Sequence, residues 1–83
     1  MQENFVRVYC IEYRREDQKN EEDVNVVARG IDEALEAFYR YFSTSMRNPM
    51  EIPKEVSEKQ REAAKRGFRK LTCLEGAVLI TSD

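Results

Sequence analysis

Val24-Asn25-Val26-Val27-Ala28-Arg29-Gly30-Ile31-Asp32-Glu33-Ala34-Leu35-Glu36-Ala37-Phe38-Tyr39-Arg40-Tyr41-Phe42 is the stretch that decides the fold class. Its apolar period changes from two to about 3.6 across one glycine. Before Gly30, alternation reads as a strand over 24–29 with Val24, Val26 and Ala28 inward. After it, apolar residues fall at Ile31, Ala34, Leu35, Phe38, Tyr41 and Phe42, the i, i+3, i+4, i+7 stripe of a helix over 31–42. Asp32 and Glu33 put negative charge in the first turn, where the helix dipole favours it. Glu36 and Arg40 have the spacing and orientation of an i,i+4 ion pair. Gly30 fits the N-cap position, as a weaker cap than Ser or Asp.

Upstream, residues 4–15 are rich in β-branched and aromatic side chains and contain no breaker, so they read as another strand. One face carries Val6, Val8, Cys10 and Glu12; the other carries Phe5, Arg7, Tyr9, Ile11 and Tyr13. The first set is compact and apolar, and it is expected to face the core. Residues 16–23 are polar and acidic, and form a solvated loop joining two antiparallel strands. Downstream, 43–53 is irregular, with Thr44, Asn48, Pro49 and Pro53. Pro53 suits the first position of a second helix over 54–66, stopped at Gly67. Its apolar residues are only Val56, Ala63 and Ala64, so it docks lightly. Residues 69–74 and 77–81 read as two short strands joined by a tight turn at Glu75-Gly76, with a single bulged strand as the alternative. The expected fold is α+β in the order ββααββ, a mainly antiparallel sheet with helices on one face.

An 83-residue chain fits one domain, 1–83, with one modest core. Charged residues make up 36% of it, above the average of about 25%, and coat a domain with a high surface-to-volume ratio. Aromatic residues at 10% argue against disorder. A net charge of -2 gives no global pull toward nucleic acid or anionic membranes. The longest apolar run, Ala77-Val78-Leu79-Ile80, is too short to span a bilayer, and the first five residues lack a basic signal-peptide region. A cytoplasmic location is therefore expected. Cys10 and Cys73 read as reduced, buried small hydrophobes, with a disulfide between them as the alternative.

No catalytic centre is recognisable. Histidine is absent, which removes the commonest general base and metal ligand. Two distant cysteines do not make a four-ligand zinc site, so no metal and no cofactor are expected. Gly30, Gly67 and Gly76 are too scattered to cradle a phosphate as a glycine-rich loop does.

Three regions remain as binding candidates. The acidic loop supplies Glu16, Asp17, Glu21, Glu22 and Asp23, which also read simply as solvated charges. The outer sheet face is expected to present Arg7, Tyr9 and Tyr13, with Arg29 beside them, as an anchor for a protein partner or for stacked bases. A covering helix or ordinary cross-strand pairing is the competing account. Finally, Lys59, Arg61, Lys65, Arg66, Arg69 and Lys70 are concentrated within a dozen residues and opposed by Glu62. Lys59, Arg66 and Lys70 are expected to share a helix face that contacts phosphates, unless the cations only solvate the helix and complement its C-terminus. A weaker candidate is a contact surface of Tyr39, Met46 and Met50.

The stretch from Val26 to Phe38 resembles the strand-turn-helix of many short proteins encoded by phages and mobile elements, whose chains often end in a strand pair like 71–74 and 77–80. Inhibitors of bacterial defence systems, such as anti-CRISPR proteins, are of this sort. The resemblance implies a small acidic protein that acts by binding, and no residue role is carried by it. The leading expectation is thus a non-enzymatic protein-interaction module, a phage-type inhibitor binding a host defence or nucleic-acid-handling complex as monomer or homodimer. The alternative is a small nucleic-acid-binding module using Lys59, Arg66, Arg69 and Lys70. A third is an enzyme whose site forms only in an oligomer.

Overall fold

The change of period at Gly30 becomes a strand, β2 (Glu22–Ala28), followed by a helix, α1 (Ile31–Phe42), in the computed structural model, which describes residues 5–44 and 53–82. The other elements are β1 (Arg7–Tyr13), α2 (Glu58–Gly67), β3 (Phe68–Cys73) and β4 (Val78–Thr81). Together they make a small α+β fold with one four-stranded antiparallel sheet, ordered β2-β1-β3-β4. Asn48, Pro49, Met46 and Met50 lie outside the described residues.

Helix α1 has the expected bounds because its signals are local. Gly30 is its N-cap, extended at φ -170°, with no side chain to cap the free amides. The Glu33 carboxylate instead accepts the backbone N–H of Arg29, the residue before the N-cap, at 3.1 Å and so ties the end of β2 to the first turn. Ala34 and Phe38 are fully buried, and Ile31, Leu35, Tyr39, Tyr41 and Phe42 pack around the same core.

That core lies against the sheet face formed by Tyr9, Ile11, Tyr13, Val24, Val26, Leu71 and Cys73. The face expected for β1 is reversed: Tyr9, Ile11 and Tyr13 are buried, whereas Val8, Cys10 and Glu12 lie on the opposite side. Register explains why. Ile11 pairs with Val24 and Tyr9 with Val26, so the inward face of β2 carries the rings of β1 with it. The rings also supply volume that Val8 and Cys10 lack. Tyr13 packs on Phe38 at a 5.5 Å centroid distance and edge-on to Tyr41 and Phe42 at 6.0 Å.

Helix α2 begins later than expected. Pro53 precedes it by five positions, and the N-cap is Ser57. Ser57 and Gln60 exchange a capping box: the Gln60 N–H donates to Ser57 Oγ at 3.1 Å, and the Ser57 N–H to Gln60 Oε1 at 3.0 Å. Ala64 enters the core. Gly67 is the last helical residue, and its carbonyl accepts the Arg14 N–H at 2.9 Å, which clamps the end of β1 to the end of α2. The expected Glu36–Arg40 pair yields to a tertiary one: Arg61 grips Glu36 through two hydrogen bonds of 3.0 and 2.9 Å. That fork holds the Glu36 carboxyl below its ordinary pKa. At the other end of the sheet, Gly76 turns the β3–β4 hairpin with φ +109°, a left-handed angle that suits glycine. The hairpin is the expected one, with the Gly76 N–H donating to Cys73 O at 2.8 Å.

Candidate functional site

With α1 on one face, the sheet keeps a second face open to solvent. Register lays it out in rows. At one end Val27 pairs with Val8, and the Leu74 N–H continues the ladder by donating to Val8 O at 2.9 Å. The middle row runs Asn25, Cys10, Thr72 and Val78, and the far row Asp23, Glu12, Lys70 and Thr81. The first end is apolar: Val27 and Leu74 keep 63% and 57% of their surface in water with Val8 half-buried between them, and Val78 in the middle row keeps 56%. The far end is charged, with Lys70 held 3.2 Å from Glu12. Exposed apolar side chains grouped on one sheet face with charged residues at its far end are a feature of contact surfaces.

Tyr9 and Tyr13 do not belong to any such surface, contrary to the expectation for the outer face. Both are core residues, at 4% and 1% exposure. The Tyr13 hydroxyl sits 3.3 Å from that of Tyr41 and 3.4 Å from the Glu22 carboxylate. Burial first, then the Tyr41 hydrogen bond, pushes its pKa above the ordinary phenol value. Arg7 is exposed, 3.8 Å from Glu75 in the β3–β4 turn, and Arg29 pairs with Glu33 at 3.3 Å.

The acidic residues separate. Glu22 and Asp23 are the first residues of β2, so the connecting loop is shorter than expected. Glu21 approaches Arg69 at 4.0 Å. Glu16 and Asp17 remain exposed in the turn after β1.

The basic residues separate too. Lys70 is not on the helix face shared by Lys59 and Arg66, because α2 ends at Gly67 and the chain turns into β3. Alternation along β3 then sends Lys70 to the open face. Lys65 meets Glu62 at 4.0 Å. Arg66 and Arg69 instead join two residues that the sequence reading passed over, Arg14 and Arg15. These four arginines, with Glu16, Asp17, Phe42, Ala63 and Gly67, line a cleft of about 440 Å³. Arg14-Arg15 beside an acidic loop was the only available signal, and nothing local places it against α2.

Cys10 and Cys73 are both free. They occupy neighbouring strands but opposite faces, since Cys73 pairs with Tyr9 and Cys10 with Thr72. Cys73 is buried as expected, whereas Cys10 is only half-buried on the open face. Partial burial, followed by Asp23 and Glu12, raises the Cys10 thiol pKa, so it is not an activated nucleophile. Among the described residues no three carboxylates or thiols gather as a metal-binding set, and no helix is long and apolar enough to cross a membrane.

Fold and site together define a small α+β domain with one helix-packed and one open sheet face. No protein-family model, no curated protein and no solved structure matches the chain.

Proposed function

We propose that the domain acts by binding rather than catalysis, and that it docks a protein partner on the open sheet face. The observation that carries this reading is the exposed apolar side chains of Val27, Leu74 and Val78 on the open face, with Val8 half-buried among them. A sheet built only for stability has alternating polar residues on its water-facing side. Here the charged row of Glu12, Asp23 and Lys70 lies beyond the middle row on the same face, the arrangement of an apolar interface core with a polar edge. The matching partner presents an apolar surface of its own. A phage-type inhibitor seated on a host defence or nucleic-acid-handling complex is the form of this reading suggested by the resemblance of Val26–Phe38. The dispersal of the basic residues gives no comparable support to binding of nucleic acid along α2.

Two photo-cross-linking side chains test the proposal in cells, one at Asn25 on the open face and one at Gln60 on α2. Adducts are expected at Asn25, lost with Leu74→Asp while the circular dichroism spectrum stays unchanged. Adducts formed mainly through Gln60, adducts indifferent to Leu74→Asp, or none at Asn25 would refute it. Association is also expected to survive moderate salt, unlike contact with phosphates.

A further inference from the structure

We propose that the arginine-lined cleft between the end of β1 and the C-terminal ends of α1 and α2 binds a phosphate monoester whose organic part offers a flat ring face, such as a nucleoside monophosphate. This inference is independent of the open-face reading, since the cleft is built from other elements.

A cleft of about 440 Å³ suits one small ligand, within the range of about 300–1,000 Å³ usual for ligand sites. It is too small to follow a polymer backbone. Two helix C-termini converge on it, and their free carbonyls would repel an anion. Both ends are already neutralised. Arg15 donates to Phe42 O at 2.8 Å, and its guanidinium lies 4.5 Å from the Phe42 ring centroid. Arg69 donates to Arg66 O at 2.8 Å.

Arg14 and Arg66 remain. Both are exposed on the cleft walls, and among the described residues neither has an ion-pair partner. Two arginines lining one cleft match a dianion with three acceptor oxygens better than a single carboxylate. Glu16 and Asp17 also line the cleft. Against the four arginines they leave the cleft a formal net charge of +2, which favours an anion. In the lining, Phe42, Ala63 and Gly67 offer no hydrogen-bonding side chain, so the organic part of the ligand rests there by apolar contact. The same chemistry occurs free in solution and at the 5′ end of a nucleic acid strand.

The test is an NMR titration of the full ¹⁵N-labelled chain with a nucleoside 5′-monophosphate, the parent nucleoside, and short oligonucleotides with 5′-phosphate or 5′-hydroxyl ends. The monophosphate is expected to shift the amides of Ala63 and Gly67 with a Kd of about 1 mM or tighter. The nucleoside is expected to leave them in place. Arg14→Ala and Arg66→Ala should each weaken binding about tenfold or more, and Lys59→Ala should not. Ala63→Leu, which enlarges the apolar lining and leaves every charge in place, should also block it. A 5′-phosphorylated strand that binds like the monophosphate identifies a strand end as one source, and one that does not bind identifies the free nucleotide. Equal shifts from nucleoside and monophosphate, binding that persists in both arginine variants and in Ala63→Leu, equal binding of the two oligonucleotides, or no shifts at all would overturn the proposal.

Discussion

Substituting Gly67 by alanine separates local from tertiary reasoning by the sign of its effect. In a helix, glycine costs about 0.5–1 kcal/mol relative to alanine, so local propensity favours the change. The structure opposes it. A Cβ at Gly67 would stand 2.7 Å from Arg14 O and 2.8 Å from Phe42 Cε2. The first contact is backbone at the end of β1, held in place by the hydrogen bond from Arg14 N–H to Gly67 O at 2.9 Å. The second is a ring packed against Tyr13 and Phe38. Neither swings away as a flexible side chain would. Overpacking of this kind costs about 1–3 kcal/mol, and loss of the strained hydrogen bond adds about 1 kcal/mol. Set against the propensity gain, the expected result is a destabilisation of about 1–3 kcal/mol. For a domain of this size each kcal/mol moves Tm by about 4–8 °C, so the drop is well within measurement. Urea unfolding followed by circular dichroism is the assay, with a lower midpoint and an unchanged m-value expected. A midpoint equal to or above that of the parent protein would refute the close approach of α2 to β1, and with it the apolar lining of the cleft.

Two further outcomes test the core. Ile11→Ala is expected to cost about 2–5 kcal/mol, while Cys10→Ala on the open face costs less than about 1 kcal/mol; the reverse ranking in thermal unfolding would mean that β1 faces the other way. Tyr13, whose pKa is raised in the folded state, contributes stability that is complete below the unfolded phenol pKa of about 10 and is lost as pH rises beyond it. Alkaline unfolding above about pH 10 should therefore be steeper in the parent than in Tyr13→Phe, and identical slopes would show that Tyr13 ionises freely.

Features whose physics is local were legible in the chain alone. Helix 31–42 follows from a 3.6-residue apolar stripe and acidic first turn, its start from Gly30, and the β3–β4 hairpin from Glu75-Gly76. The capping box of Ser57 and Gln60 was equally legible and fixes the start of α2 better than Pro53 does. The candidate sites were less legible, because both regions are assembled from distant segments. On β1 either face is apolar enough to be buried, so a period of two leaves the sign open. Only the pairing of Ile11 with Val24 settles it, by carrying Tyr9 and Tyr13 inward and leaving Val8 on the open face. Glu36 had a partner within its own helix by spacing, yet Arg61 reaches it with a two-pronged fork that an i,i+4 pair does not match. Arg14 and Arg66 are more than fifty positions apart, and only the clamp between Arg14 N–H and Gly67 O brings them to the same cleft. Periodicity and turn chemistry report what each segment prefers, whereas strand register and the close approach of chain ends decide which surfaces remain for a partner.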